Sequence, residues 1–432
     1  MSRQPADPAA AAAAAEERRA PRLDEGAAPR HGSAAGAAER RPSLRLKPKC
    51  GGRFFAGAPW IYANELVLDR RAKALAPGAI ATLEDSARQP VATVAVNTAS
   101  QIAARALDRD PGAEIDGAWL EARLRRALSL RERLYAEPFY RLAHAEADGL
   151  PGLVIDRFGD ALAVQPNAAW LETRRIALLA ALDRVLAPRI VVWSGGSRAR
   201  RLEGLPAETR LMKGTLDAPL SAPMNGAVYR ADLLAGQKTG LFYDQRPNHA
   251  AFAALARGGR VLDVFAHVGG FSLAALLAGA RAALAIDASA PALSMAEAGA
   301  EESGVADRFT TMRADAFEAM RALSEAGERF DAVVCDPPAF APNKAALEQG
   351  LRAYAKTARL GVALTGPNGV FCLCSCSHAV GRAALASAAA AAFRAHRREA
   401  RLIHDGGAGP DHPVHPALAE TAYLKALIYV LD

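Results

Sequence analysis

Four aspartates stand where four strand-like apolar runs give out: Asp263, Asp287, Asp315 and Asp336. Acids at the carboxyl ends of parallel strands are placed to meet a ligand. Asp287 could accept both ribose hydroxyls of a nucleoside, and Asp315 is in reach of an adenine amino group. Any one such residue can equally be a helix N-cap, but four at successive strand ends favour a nucleoside site. Gly269 and Gly270, between Asp263 and the next helical run, let the backbone approach a ligand closely. Their spacing is not G-x-G-x-x-G, so the dinucleotide fingerprint is absent.

Two further segments carry chemistry. In Asp336-Pro337-Pro338-Ala339-Phe340 the prolines hold the chain extended and stiff, as a simple strand stop or as a wall for a planar base. Cys372, Cys374 and Cys376 alternate along one strand and share a face. The first two read as small buried core residues. Cys376 comes last, nearest the ligand edge and the following helix, whose N-terminus would favour a thiolate. Cys335 points away from Asp336 by the same alternation. No C-x-x-C or histidine spacing suggests zinc, so no metal is expected.

These residues need a parallel sheet to hold them. From Arg260 onward strand-like and helical runs alternate: 260–265, 271–280, 283–287, 291–303, 309–315, 317–325, 331–336, 344–364, 370–376 and 381–396. That alternation predicts an α/β sheet wound with helices on both faces. Runs 400–403 and 422–431 have no helical pattern between them and are expected to form an antiparallel edge pair.

The 432 residues are enough for about three domains at roughly 150 residues each. Residues 1–42 hold almost no large apolar side chains and are expected to be a disordered tail. Six acids there nearly cancel seven arginines, against a transit peptide. Short strand-like runs between Ser43 and residue 112 predict a small β-barrel. Residues 113–225 open with a helix over 113–140, contain another from Leu171 to Leu186, and read as an α+β middle domain. The last domain is 226–432. Hydrophobic residues make up 51% and charged residues 23%, a globular composition, and no membrane-spanning run is evident. Net charge is +7, with 45 Arg and 8 Lys, which leans toward a polyanionic partner. Five cysteines, three within five residues, fit a reducing cytoplasm better than a disulfide framework.

Several stretches resemble the class I methyltransferases that act on cytosine C5 of large-subunit (23S) ribosomal RNA. They are Gly236-Gln237-Lys238-Thr239-Gly240-Leu241-Phe242-Tyr243-Asp244-Gln245-Arg246, the Val261–Phe271 run, Asp-Pro-Pro-Ala-Phe and Ser375-Cys376-Ser377. The middle segment 144–160 and Pro59-Trp60-Ile61-Tyr62 are similar too. The resemblance spans about residues 43–432. It implies a Rossmann-like methyltransferase domain behind a PUA-type barrel, S-adenosylmethionine as methyl donor, ribosomal RNA as partner, and room for a homodimer. It also implies donor contacts from Asp244, Gln245, Arg246, Asp263, Phe265, Gly269, Gly270, Asp287, Asp315 and Asp336. Substrate contacts fall to Lys238, Pro337, Pro338 and Phe340.

Cytosine C5 is a poor nucleophile until a thiolate adds at C6. Cys376 is assigned that addition, and Asp336 the cytosine edge and the charge developing at N3. One rival is an RNA methyltransferase acting on a purine nitrogen, which suits Asp-Pro-Pro-x-Phe and needs no cysteine. Another is a non-catalytic RNA-binding assembly factor, which would not need the full set of acids.

Overall fold

A computed structural model describes residues 41–236 and 239–432. Among the described residues no helix is long and apolar enough to cross a membrane. The tail expected to end at 42 lies outside the described residues up to position 40, but Arg41 and Pro42 are ordered. The Arg41 guanidinium donates to Thr93 Oγ1 and Glu114, and the Pro42 carbonyl accepts from Thr82 N–H.

The first sheet holds β1 (Ser43–Arg45), β2 (Trp60–Ile61), β3 (Ala79–Glu84), β4 (Pro90–Val96) and β5 (Ala104–Asp108), ordered β1-β3-β4-β5-β2. Two one-turn helices, α1 (Gly52–Phe55) and α2 (Arg70–Lys73), lie between its strands. Leu44, Leu83, Val94 and Phe54 fill the interior.

Helix α3 (Gly117–Leu134) starts at the Asp116 cap and ends before Phe139, six residues short of the expected 140. The remainder forms β6 (Phe139–His144), because Pro138 and the β-rich Phe139-Tyr140 end the helical pattern. The second sheet runs β10-β9-β8-β7-β6, with β7 (Leu153–Phe158), β8 (Ala161–Pro166), β9 (Ile190–Trp193) and β10 (Arg210–Lys213). The expected helix 171–186 is split at Arg174 into α4 (Ala169–Thr173) and α5 (Arg175–Leu186), and α6 (Arg198–Leu202) precedes β10. One face of this sheet holds Trp170, Leu162 and Val164 against α3 and α5. Buried carboxylates tie it to the barrel: Glu146 accepts from Trp60 Nε1 and Arg105, and Glu203 pairs with the same Arg105.

The hairpin β11 (Leu220–Met224) and β12 (Ala227–Ala231) straddles the expected boundary at 225. Its Ala222, Met224 and Tyr229 are packed in the C-terminal core, along with Phe158 and Ala163 of the second sheet. Next come α7 (Arg246–Leu255), β13 (Arg260–Val264), α8 (Gly270–Leu277), β14 (Ala282–Asp287), α9 (Ala290–Glu302), β15 (Phe309–Arg313), α10 (Ala316–Glu325), β16 (Phe330–Cys335), α11 (Leu347–Leu364), β17 (Thr365–Ser375), α12 (Arg382–Ala395), β18 (Ala400–Gly406) and β19 (Lys425–Leu431). The strands order as β15-β14-β13-β16-β17-β19-β18. All pairs from β15 to β17 are parallel, and β19 is antiparallel to both neighbours. Of the expected edge pair, only β18 is an edge; β19 is inserted beside β17.

Runs such as Ala332-Val333-Val334 are apolar throughout because helices cover both faces. Cys372 and Cys374 join Val334 and Ile428 in one core layer, while Cys335, Val333 and Leu373 belong to the other. The expected shared face is thus observed for Cys372 and Cys374. The chain leaves β13 for β14 and β15, then returns to the other side at β16. That reversal opens a crevice at the carboxyl ends of β13 and β16, where ligands bind in such sheets.

Candidate active site

The loop after β13 lines one side of the crevice. Phe265, His267 and Gly269 all have positive φ, at 66°, 51° and 76°. Two of the three are not glycine, an unusual cost in one short loop that marks it as a functional segment. Phe265 and Ala266 hold the loop to β14 by donating N–H to the Ile286 carbonyl. Asp287, at the end of β14, accepts from His267 N–H and Ser289 N–H, each at 2.9 Å. Gly270 is required for packing: a Cβ there would come within 2.6 Å of the His249 ring.

Asp263 lies one residue inside β13 rather than at its end. Its Oδ2 accepts from both the N–H and the hydroxyl of Ser272 in α8. Its Oδ1 is buried without a partner. Burial pushes the carboxyl up to about 6, against the Ser272 hydrogen bonds, which pull it down. Asp315 is exposed and caps α10, accepting from Phe317 and Glu318 N–H. The capping reading accounts for these hydrogen bonds.

Asp336 follows β16, and its Oδ2 accepts from Gln245 Nε2 at 2.8 Å. Gln245 in turn accepts from Asn248 Nδ2. Asp244 accepts from Tyr423 Oη at 2.5 Å, which holds the segment ahead of β19 against the crevice. Arg246 goes elsewhere. Its guanidinium stacks 4.2 Å from the Tyr135 ring and donates to the Phe139 carbonyl, facing the middle domain instead of the crevice. Gln237 and Lys238 lie outside the described residues. Their neighbour Thr239 donates to Asp156, a buried carboxylate that also takes two hydrogen bonds from Arg141. Part of this motif thus anchors the crevice to the middle domain.

Pro337 is buried and Pro338 exposed. Phe340 packs edge-on against Tyr354 and lies near Phe265 and Phe317, forming an aromatic wall. Cys376 is half-buried, one residue past β17. The serines around it are fixed through one phenol: Ser375 and Ser377 both bond Tyr354 Oη at 2.9 Å. Ser377 also accepts from Ala341 N–H, joining the two loops that follow β16 and β17. Helix α12 begins only at Arg382, so Cys376 does not sit in its first turn, as the dipole argument requires. A different cation is close in the structure. Lys425 donates to the Ser377 carbonyl at 2.7 Å.

The sequence reading missed Lys425, Tyr423, Tyr354 and His267. Lys425 opens an apolar strand, Tyr423 precedes it, and Tyr354 sits on a helix stripe, so no local pattern singles them out. Among the described residues no group of three His, Cys, Asp or Glu could hold a metal ion.

A family model for S-adenosylmethionine-dependent methyltransferases matches residues 213–430, and one for PUA-like domains matches residues 44–109. The chain is 33% identical over 373 residues to "Ribosomal RNA large subunit methyltransferase I" of Cronobacter sakazakii, covering 85% of this chain and 93% of that one. To the protein of the same name in Aeromonas salmonicida it is 36% identical over 335 residues, 76% and 84% of the two chains. The chain belongs to this family of S-adenosylmethionine-dependent methyltransferases. Among solved structures, one described as a methyltransferase complexed with SAH superposes with a TM-score of 0.77 at 17% identity, covering 90% of this chain and 100% of that one. A Streptococcus mutans structure gives 0.76 at the same identity and coverage. Both share the fold of this chain.

The crevice fits the family's methyl donor. Asp263 Oδ1 is buried with no hydrogen-bond partner among the described residues, the 265–269 loop follows β13, and Asp287 stands at the end of the next strand. These are acceptors and backbone groups of the kind a nucleoside with an amino-acid tail requires.

Proposed function

We propose that this enzyme methylates C5 of a cytosine in large-subunit ribosomal RNA through a covalent adduct at Cys376. The observation that carries the reading is the placement of Cys376. It is half-buried at the carboxyl edge of the sheet, between two serines fixed by Tyr354, in the loop that Ser377 joins to the one following Asp336. Methyl transfer to a purine nitrogen would give a cysteine so placed nothing to do.

When bound, S-adenosylmethionine supplies an electrophilic methyl group at its sulfonium. Asp263, Asp287 and the Phe265–Gly269 loop would hold it, with Asp244 and Gln245 bracing the far side. Cys376 as thiolate forms a bond to C6, and the ring electrons move so that C5 becomes enamine-like. Asp336 hydrogen-bonds the base edge and stabilises charge at N3. After transfer C5 loses its proton, the C6–S bond breaks, and the electron pair returns to sulfur. Pro337, Pro338 and Phe340 bound the slot for the flat base, which must leave its stack to reach it.

The first sheet supports RNA as the partner. Lys47, Lys49 and Arg53 are exposed there, Arg53 lies over the Tyr62 ring, and Phe55 is 58% exposed. Basic groups beside open aromatic faces suit phosphates and unstacked bases. The test is to map modified nucleotides in ribosomal RNA from cells lacking the gene, with and without complementation. A 5-methylcytidine restored by the wild-type chain and not by Cys376→Ala is expected. Restoration of a methylated purine nitrogen would overturn the reading.

A further inference from the structure

Among the described residues Lys425 is the one buried ammonium beside the reaction edge, and the mechanism above does not use it. Because β19 runs antiparallel, its first residue rather than its last lies at the carboxyl edge of the sheet, opposite Ser375 in β17. Lys425 is only 5% exposed. It donates a hydrogen bond to the carbonyl of Ser377, the residue directly after Cys376. An ammonium carries three donors, and burying one without a counter-charge is costly. The charges that act on Lys425 are those of Cys376, which favours the ammonium, and Arg382 on α12, which opposes it. Arg382 is itself paired with Asp405. Of the charges of Cys376 and Arg382 only the thiolate is an anion, and it is the one suited to this buried cation.

We infer that Lys425 is a positioning residue that stabilises the Cys376 thiolate by pairing with it across the β17–β19 edge. The inference rests on the reading of Cys376 as the nucleophile. The proton balance is simple: the thiol proton is released as the ion pair forms, to water or to a Lys425 amine that was neutral, and no other reactant is needed. Burial pulls the Lys425 amine down to about 8, while Cys376 pulls the other way. An amine in that range can follow the thiol's charge. Other groups facing the thiol are Tyr354 from α11 and Tyr423 ahead of β19, both of which feel the Cys376 charge. Asp336 after β16 acts on the neighbouring Cys374 and opposes negative charge there.

The test is the pH dependence of Cys376 alkylation by iodoacetamide in the full chain. Cys50→Ser removes the other accessible thiol, and peptide mass mapping reads Cys376 alone. The wild-type midpoint should lie below the ordinary thiol value of about 8.5. A midpoint at or above it would overturn the inference without any variant at Lys425. Lys425→Met should cut alkylation at pH 7 about tenfold, and Lys425→Arg should restore most of it. In turnover, Lys425→Met should lower kcat at pH 7 about tenfold, recover toward wild type at pH 9, and leave KM for the methyl donor unchanged. An unmoved alkylation midpoint with a loss of turnover equal at every pH would reduce Lys425 to a structural role. Turnover by Cys376→Ser tests the nucleophile separately, so failure of one idea is not mistaken for failure of the other.

Discussion

Removing the charge of Asp263 should stabilise the protein while it harms donor binding. The wild-type carboxyl titrates near 6 in the fold, against 3.8 when unperturbed, because it is buried and Ser272 satisfies only one of its oxygens. An acid whose folded-state value is raised binds its proton more tightly in the folded state. Stability is then lost as pH rises from about 3.8 to about 6 and levels off above that. The difference amounts to about 3 kcal/mol at neutral pH. About 2 kcal/mol of this develops between pH 4.5 and 7.5. Asp263→Asn keeps an acceptor for Ser272 and cannot ionise. Urea unfolding of the ligand-free protein, followed by circular dichroism, should show the variant gaining about 2 kcal/mol on wild type across that interval. Calorimetry should show weaker S-adenosylmethionine binding in the same variant. A stability difference independent of pH would refute the claim that Asp263 is held ionised at a cost.

Asp287→Ala removes the acceptor for His267 and Ser289 N–H, so the donor loop loosens and the ribose loses its acceptor; affinity for S-adenosylmethionine should fall tenfold or more by calorimetry, at about 1.5–3 kcal/mol per charged hydrogen bond. Gly270→Ala drives a Cβ into the His249 ring and should cost about 1–3 kcal/mol in thermal unfolding, together with donor binding. Cys374→Ala trims a fully buried side chain on the core face and should cost about 1 kcal/mol with turnover kept, which separates it from Cys376.

The wound sheet was legible in the chain because its strands are buried on both faces and read as unbroken apolar runs, as in Val261-Leu262 and Ala332-Val333-Val334. Alternation along β17 likewise put Cys372 and Cys374 on one face. It could not show that β19 would insert between β17 and β18, since pairing order depends on contacts distant in sequence. The residues of the crevice divide similarly. Asp287, Asp336 and Cys376 stand at or just past strand ends, and Gly270 opens the helix after β13; all could be found from the pattern. Asp315 has the same position in the pattern, yet it turns outward to cap α10. Arg246 sits in a telling motif but spends its charge on Tyr135 and Phe139. Lys425 and Tyr423 reach the site only because an antiparallel strand brings its beginning to the edge where the parallel strands end.

The most direct test of the central claim uses RNA carrying 5-fluorocytidine at the modified position. Fluorine at C5 cannot leave as a proton does, so a cysteine that adds to C6 stays attached after methyl transfer. Incubation with S-adenosylmethionine should give a denaturant-stable protein–RNA adduct that maps to Cys376 and is absent in Cys376→Ala. Methylation of unmodified RNA by Cys376→Ala at the wild-type rate, with no adduct from the wild-type chain, would contradict cytosine-5 chemistry at this site.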